Sequence, residues 1–166
     1  METSPTLILS EEDIYIKIKR ISLQILETCL EDKVIIVAGI YKNGALLAEL
    51  ISAQLKELTD TKVVLATVTI DKKNPLHSVQ VSIEPSLYEN KSVILVDDVL
   101  NTGSTLMFAA KHFLDVPLKQ FKTAVLVDRN HKKYPIKADF KGISLSTSLN
   151  ERVEVDFKSP AKAELI

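Results

Sequence analysis

The segment Asp97-Asp98-Val99-Leu100-Asn101-Thr102-Gly103-Ser104-Thr105 gathers two acids, three hydroxyls and a glycine within nine positions, directly after the apolar run Val93-Ile94-Leu95-Val96. Thr102, Gly103, Ser104 and Thr105 can turn consecutive backbone N–H groups and their hydroxyls toward one phosphate, and a helix starting there adds positive potential. Asp97 and Asp98 cannot serve as phosphate ligands without a counterion, but carboxylates accept well from the vicinal hydroxyls of a ribose. Phosphate plus diol makes ribose 5-phosphate the expected ligand. Paired acids after a strand, taken alone, are better read as a helix-capping turn. Acids, hydroxyls and glycine in this order favour a ligand site. No Gly-x-x-x-x-Gly-Lys phosphate loop occurs, and a lone Gly39 or Gly44 makes no dinucleotide fingerprint, so adenylate and NAD binding are excluded.

The surrounding pattern supplies a frame for that segment. Ser10 before Glu11, Glu12 and Asp13 is a helix start, because its hydroxyl caps a free N–H and the acids oppose the positive helix end. Ile14, Ile18, Ile21 and Ile25 recur at helical spacing, predicting an amphipathic helix to about Cys29. Val34–Ile40, Val63–Ile70, Val93–Val96 and Thr123–Val127 read as buried strands, with helices expected between them through Leu47–Leu58 and Thr105–Leu114. The stretch 71–90 is polar, carries Pro75 and Pro85, and reads as a long flexible excursion from the sheet. After Asp128 short β-prone pieces follow (Tyr134–Phe140, Arg152–Phe157), suggesting a small cap over 128–157. Strand and helix alternation predicts a parallel α/β sheet in one domain spanning 1–166.

Composition sets the outer limits. With 46% hydrophobic and 26% charged residues in 166, the chain suits one globular domain, and its longest apolar runs are far too short for a bilayer helix. A net charge of −1 provides no global field for gathering nucleic acid. The single Cys29 cannot form an internal disulfide and reads as inert packing; with no basic-then-apolar leader, a cytoplasmic location is expected.

The motif Asp97–Thr105 resembles the signature of type I phosphoribosyltransferases, which bind phosphoribosyl pyrophosphate (PRPP) with magnesium. Ala124-Val125-Leu126-Val127-Asp128-Arg129-Asn130-His131, followed by Tyr134-Pro135-Ile136-Lys137-Ala138-Asp139-Phe140 and Gly142, is similar to the C-terminal region of the PyrR-type group. That group comprises pyrimidine operon attenuators with uracil phosphoribosyltransferase activity. The resemblance covers about Leu7 to Val155. It implies a flavodoxin-like parallel core with flanking helices, a small hood over the base and a mobile catalytic loop.

Position by position, the resemblance assigns Asp97 and Asp98 to the ribose hydroxyls, and Thr102, Gly103, Ser104 and Thr105 to the 5-phosphate. It assigns Tyr41, Lys42, Asn43 and Gly44 to the pyrophosphate loop, in which the family often carries a non-proline cis peptide. Magnesium is implied as a passenger on PRPP, with no direct protein ligand. Purine-salvage relatives usually place a lysine at Asp128 and an acid at Asn101; this chain has neither, so uracil is the expected base and UMP the product. Asp128, Arg129 and the backbone of Lys137, Ala138, Asp139 and Phe140 are the expected hood contacts, unless Asp128 and Arg129 pair to brace the hood. Two departures stand out: Asp71-Lys72-Lys73-Asn74-Pro75 is shorter than the usual loop and lacks its arginine, and Asn101 replaces a small or acidic residue. Lys72 or Lys73 is the candidate substitute for that arginine. His131 is read as much as a hood brace as a site residue. The rival reading is a UMP- or PRPP-sensing regulator whose Lys132, Lys133, Lys137 and Lys141 touch mRNA. A homodimer or tetramer is expected in either case.

Overall fold

The computed structural model describes residues 4–71, 73–74 and 76–166. Its elements are β1 (Thr6–Leu9), α1 (Glu11–Thr28), β2 (Val34–Ile40), α2 (Asn43–Leu58), β3 (Lys62–Thr69), β4 (Gln80–Val81), α3 (Pro85–Tyr88), β5 (Ser92–Leu100), α4 (Ser104–Phe113), β6 (Gln120–Arg129), β7 (Phe140–Leu145), β8 (Val153–Asp156) and β9 (Lys162–Leu165). The larger sheet has the order β4-β3-β2-β5-β6-β7. Every neighbouring pair from β3 to β7 is parallel, and β4 alone is antiparallel, against β3. The parallel part follows the 2-1-3-4-5 order of doubly wound flavodoxin-like sheets.

Both faces of this sheet are covered, which explains strands that read as unbroken apolar runs rather than alternating ones. On one face α1 and α2 seal a core that includes Ile18, Ile21, Ile25, Leu47, Ile51 and Val37. On the other, α4 and the short α3 cover a core containing Ile36, Leu95, Leu106, Phe113 and Tyr88. The α1 start is the capping box its sequence predicts: the Asp13 amide donates to Ser10 Oγ at 3.2 Å, and the Ser10 amide donates to Asp13 Oδ2 at 2.9 Å. Arg20 on α1 donates to the Gly142 carbonyl at 2.6 Å, tying that helix to β7. No helix among the described residues is long and apolar enough to cross a membrane.

Several boundaries differ from the sequence reading. β5 continues through the acids to Leu100, so Asp97 and Asp98 lie within the strand rather than after it. In-register pairing of Asp97 with Val125 and of Val99 with Val127 carries the strand on despite the charges. The excursion at 71–90 returns to the sheet, because Val81 and Gln80 pair with Val68 and Thr69, and Tyr88 of α3 is buried. Tyr134–Asp139 forms no strand; it is the crossover that brings the chain from the top of β6 down to Phe140, where β7 begins opposite Ala124. The terminal cap also recruits the N-terminus: β1, β9 and β8 form a separate antiparallel sheet that the sequence pattern did not reveal.

Candidate active site

In a doubly wound sheet ligands bind beyond the carboxyl ends of the strands, where the strand order reverses. Here that point lies between β2 and β5: the chain leaves β2 into α2 on one face and leaves β5 into α4 on the other. The turn Tyr41–Gly44 and the acids Asp97 and Asp98 meet there.

The side expected to take a phosphate is built by the turn from β5 into α4. Gly103 adopts φ +84°, a left-handed conformation that glycine enters without steric cost, and α4 begins at the next residue. No acid lies in the first turn of this helix; its Ser104 amide donates to Thr102 Oγ1 at 3.3 Å, and the remaining first-turn amides and the positive end favour an anion. A cavity of about 220 Å³ opens above them, lined by Asp97, Val99, Leu100, Asn101, Thr102, Gly103, Thr105 and Leu106. The 130–136 segment lies directly over the turn. The amides of Lys133 and Tyr134 donate to the Thr102 carbonyl at 2.8 and 3.1 Å, and a Cβ on Gly103 would sit 2.7 Å from Ile136 Cγ2.

On the opposite side of the acids, Tyr41, Lys42, Asn43 and Asp98 line a second cavity of about 330 Å³. The Tyr41–Lys42 peptide is cis, matching the resemblance. α2, like α4, starts without an acid in its first turn. Gly44 lets this turn lie against the acids, since a Cβ there would be 2.7 Å from the Val96 carbonyl and 3.1 Å from Asp97 Oδ1. Asp97 is 3% exposed and its Oδ1 accepts the Asp98 amide at 3.0 Å, while Asp98 is half-buried and faces the turn. The paired acids therefore face different cavities: Asp97 borders the one above the β5–α4 turn and Asp98 the one beside the Tyr41–Gly44 turn.

The residues expected to form the hood separate into two groups. Asp128 and Arg129 are buried at the carboxyl end of β6, with Asp128 in register with Leu100. They do not form one braced pair. Asp128 receives Lys132 Nζ at 3.0 Å and Lys141 Nζ at 3.2 Å, while Arg129 donates to Thr147 Oγ1, to the Ser148 carbonyl and, at 2.7 Å, to the Glu151 carbonyl. His131 Nε2 lies 2.7 Å from the Thr147 carbonyl, bracing the same loop. Lys137, Ala138, Asp139 and Phe140 lie near the opposite end of β6. Thr123 Oγ1 donates to the Lys137 carbonyl at 2.5 Å and the Thr123 amide to Asp139 Oδ2 at 3.0 Å. Thr123 is five residues before Asp128, about 16 Å along a strand, so this group is not gathered with Asp128 and Arg129.

Lys73 is exposed, and Lys72 lies outside the described residues. Asp71 stitches the chain that follows: its Oδ1 accepts the amides of Lys73 and Asn74, with His77 Nδ1 3.1 Å from Oδ2, and these bonds hold its carboxyl below the usual carboxylate range. Sequence reasoning named Lys132 only as a candidate mRNA contact and missed its bond to Asp128; its position four residues after Asp128 was the available signal. It also missed the role of Asn43, whose amide donates to Asp98 Oδ2 at 3.0 Å and to the Val155 carbonyl at 2.8 Å.

Known proteins agree with this geometry. The phosphoribosyl transferase domain family matches residues 6–161, and the chain belongs to that family: it is a phosphoribosyltransferase of the type I fold. Within the family it stands close to PyrR. It is 36% identical over 161 residues to the bifunctional protein PyrR of Haemophilus ducreyi, covering 90% of this chain and 88% of the relative. It is likewise 36% identical over 157 residues to that of Enterococcus faecalis, covering 89% and 86%. The crystal structure of a hypoxanthine-guanine phosphoribosyltransferase from Bacillus anthracis superposes with a TM-score of 0.77 at 22% identity, covering 97% of this chain and 96% of the other, a likeness of fold.

Proposed function

We propose that this chain transfers the 5-phosphoribosyl group of PRPP to uracil, releasing pyrophosphate and forming UMP. The observation that carries the reading is the placement of two acid-free helix starts on either side of Asp97 and Asp98, a spacing suited to a 5-phosphate, a diol and a pyrophosphate in sequence. A ring nitrogen of uracil attacks C1 as the C1–pyrophosphate bond breaks and the nitrogen loses its proton, so positive charge grows on the ribose and negative charge on the leaving group. Asp97 and Asp98 hold the hydroxyls and oppose the ribose charge; Lys42 and the turn amides receive the pyrophosphate. Magnesium carried on PRPP would neutralise charge on the leaving group without a direct protein ligand, which leaves Asp98 to the ribose hydroxyls. No side-chain nucleophile is required.

Support for uracil comes from the similarity to PyrR proteins, since the Lys132 and Lys141 ammonium groups beside Asp128 would serve a carbonyl of either class of base. The regulatory reading, with mRNA bound through the same lysines, is the weaker one. Lys132 and Lys141 are paired with Asp128, and Lys137 lies 3.7 Å from Asp139. We place the protein in the cytoplasm as a dimer or tetramer, a reading supported by the exposed Leu46, Leu50 and Leu58 of α2. An assay offering PRPP and magnesium with uracil, hypoxanthine, guanine or orotate in parallel tests the proposal. UMP formation is expected; turnover of a purine with none of uracil would overturn the choice of base.

A further inference from the structure

We infer that the Asn43 side chain is a positioning group that aims the Asp98 carboxylate at the ribose diol, rather than a ligand of pyrophosphate. The inference rests on the phosphoribosyl reading above and assigns Asn43 a role different from the one its place in the pyrophosphate turn implies.

A primary amide nitrogen has two N–H groups and no acceptor capacity. Asn43 Nδ2 donates at 3.0 Å to Asp98 Oδ2 and at 2.8 Å to the Val155 carbonyl, so both hydrogens are committed. What the side chain has left is Oδ1, an acceptor, which a pyrophosphate oxygen repels. Asn43 therefore reaches the reaction through Asp98. It occupies one of about four lone-pair sites on that carboxylate, leaving Oδ1 of Asp98 to accept from a ribose hydroxyl.

The second bond fixes where the amide stands. Val155 belongs to β8, is 7% exposed and packs in the core beneath α1 and α2, so its carbonyl is a rigid anchor. The same carboxamide thus spans the turn before α2, the acid at the end of β5 and the terminal sheet. The close approach that Gly44 permits between this turn and the acids brings the amide within reach. Without it, Asp98 loses the donor that selects its orientation.

Calorimetric titration of wild type, Asn43→Ala, Asp98→Ala and the double variant tests this, each checked for folding by circular dichroism. The probes are UMP, PRPP with magnesium, and pyrophosphate with magnesium. UMP carries the phosphate and the diol but no pyrophosphate. The expected result is that Asn43→Ala weakens UMP and PRPP by about the same tenfold factor and leaves pyrophosphate unchanged; in the Asp98→Ala background it weakens UMP no further. Asn43→Asp, of the same shape but carrying acceptors in place of donors, is expected to weaken UMP more than Asn43→Ala, and it serves if the alanine variant does not fold. Weakened pyrophosphate with unchanged UMP would overturn the inference in favour of a direct ligand. Lower thermal stability with all affinities unchanged would overturn it in favour of a staple for β8. Losses that add in the double variant would also overturn it, by removing Asp98 as the intermediary. Wild type that binds neither UMP nor PRPP would refute the phosphoribosyl reading itself, and the inference with it.

Discussion

Replacing Gly103 by alanine tests how the phosphate turn is held. The backbone there has φ +84°, where a residue with a Cβ costs about 1 kcal/mol. The added carbon would also stand 2.7 Å from Ile136 Cγ2, well inside the usual carbon–carbon separation of about 3.5–4.0 Å, so one of the two must move by about 1 Å. Ile136 cannot withdraw freely, because Lys133 and Tyr134 of the same segment are bonded to the Thr102 carbonyl. Overpacking of this kind adds about 1 kcal/mol, giving a total loss of about 2 kcal/mol. With a urea slope of about 2 kcal/mol/M the midpoint falls by about 1 M. Urea unfolding followed by circular dichroism measures this in Gly103→Ala, Ile136→Ala and the double variant. In the Ile136→Ala background the glycine substitution retains only the backbone cost of about 1 kcal/mol. An equal cost in both backgrounds would refute the placement of the 130–136 segment over the turn.

Three further predictions concern the frame. Asp32 is buried between Lys119, which donates to it, and Ser92, whose hydroxyl donates at 2.5 Å; burial pushes its carboxyl up, but these donors and Cys29 outweigh that and hold it low. Asp32→Asn should cost about 2 kcal/mol at pH 7. Because the folded value lies below the ordinary 3.8, the difference from wild type is full above that pH and shrinks as pH falls through the folded value. A gap that persists undiminished in strong acid would contradict this. Burial pushes the Cys29 thiol up to about 12, with Asp32 adding to the effect, so iodoacetamide at pH 8 should label it only after unfolding; equal rates with and without urea would contradict its burial. Arg129→Met removes the donors on the Ser148 and Glu151 carbonyls and should open the 146–152 loop to limited proteolysis, whereas a loop as resistant as in wild type would refute the bracing role.

The core was legible because burial on both faces leaves a direct mark: runs such as Val34–Ile40 and Val93–Val96 are apolar without alternation. Its parallel α/β class followed from strand and helix alternation, whereas the flavodoxin-like order came only with the family resemblance. The tight turn from β5 into α4 was legible for a similar reason, since the residues that shape it are contiguous. What remained hidden was long-range. Thr6–Leu9 and Lys162–Leu165 are too short to read as strands until they are seen pairing across the whole chain. β5 runs through Asp97 and Asp98 only because β6 stays in register alongside. The hood assignment failed to separate Asp128 from Lys137–Phe140 because a crossover that descends the sheet leaves no periodic signal. Asn43 illustrates the limit most sharply: its neighbours in sequence point to pyrophosphate, and its partners lie 55 and 112 positions away.

The central claim is that the corner where β5 gives way to α4 clasps a phosphorylated ribose. A crystal structure of the complex with UMP tests it most directly. The phosphate should lie on the amides of residues 103–105, with the two ribose hydroxyls at hydrogen-bond distance from Asp97 and Asp98. A nucleotide bound elsewhere, with that corner filled by solvent or by the protein's own side chains, would contradict the account.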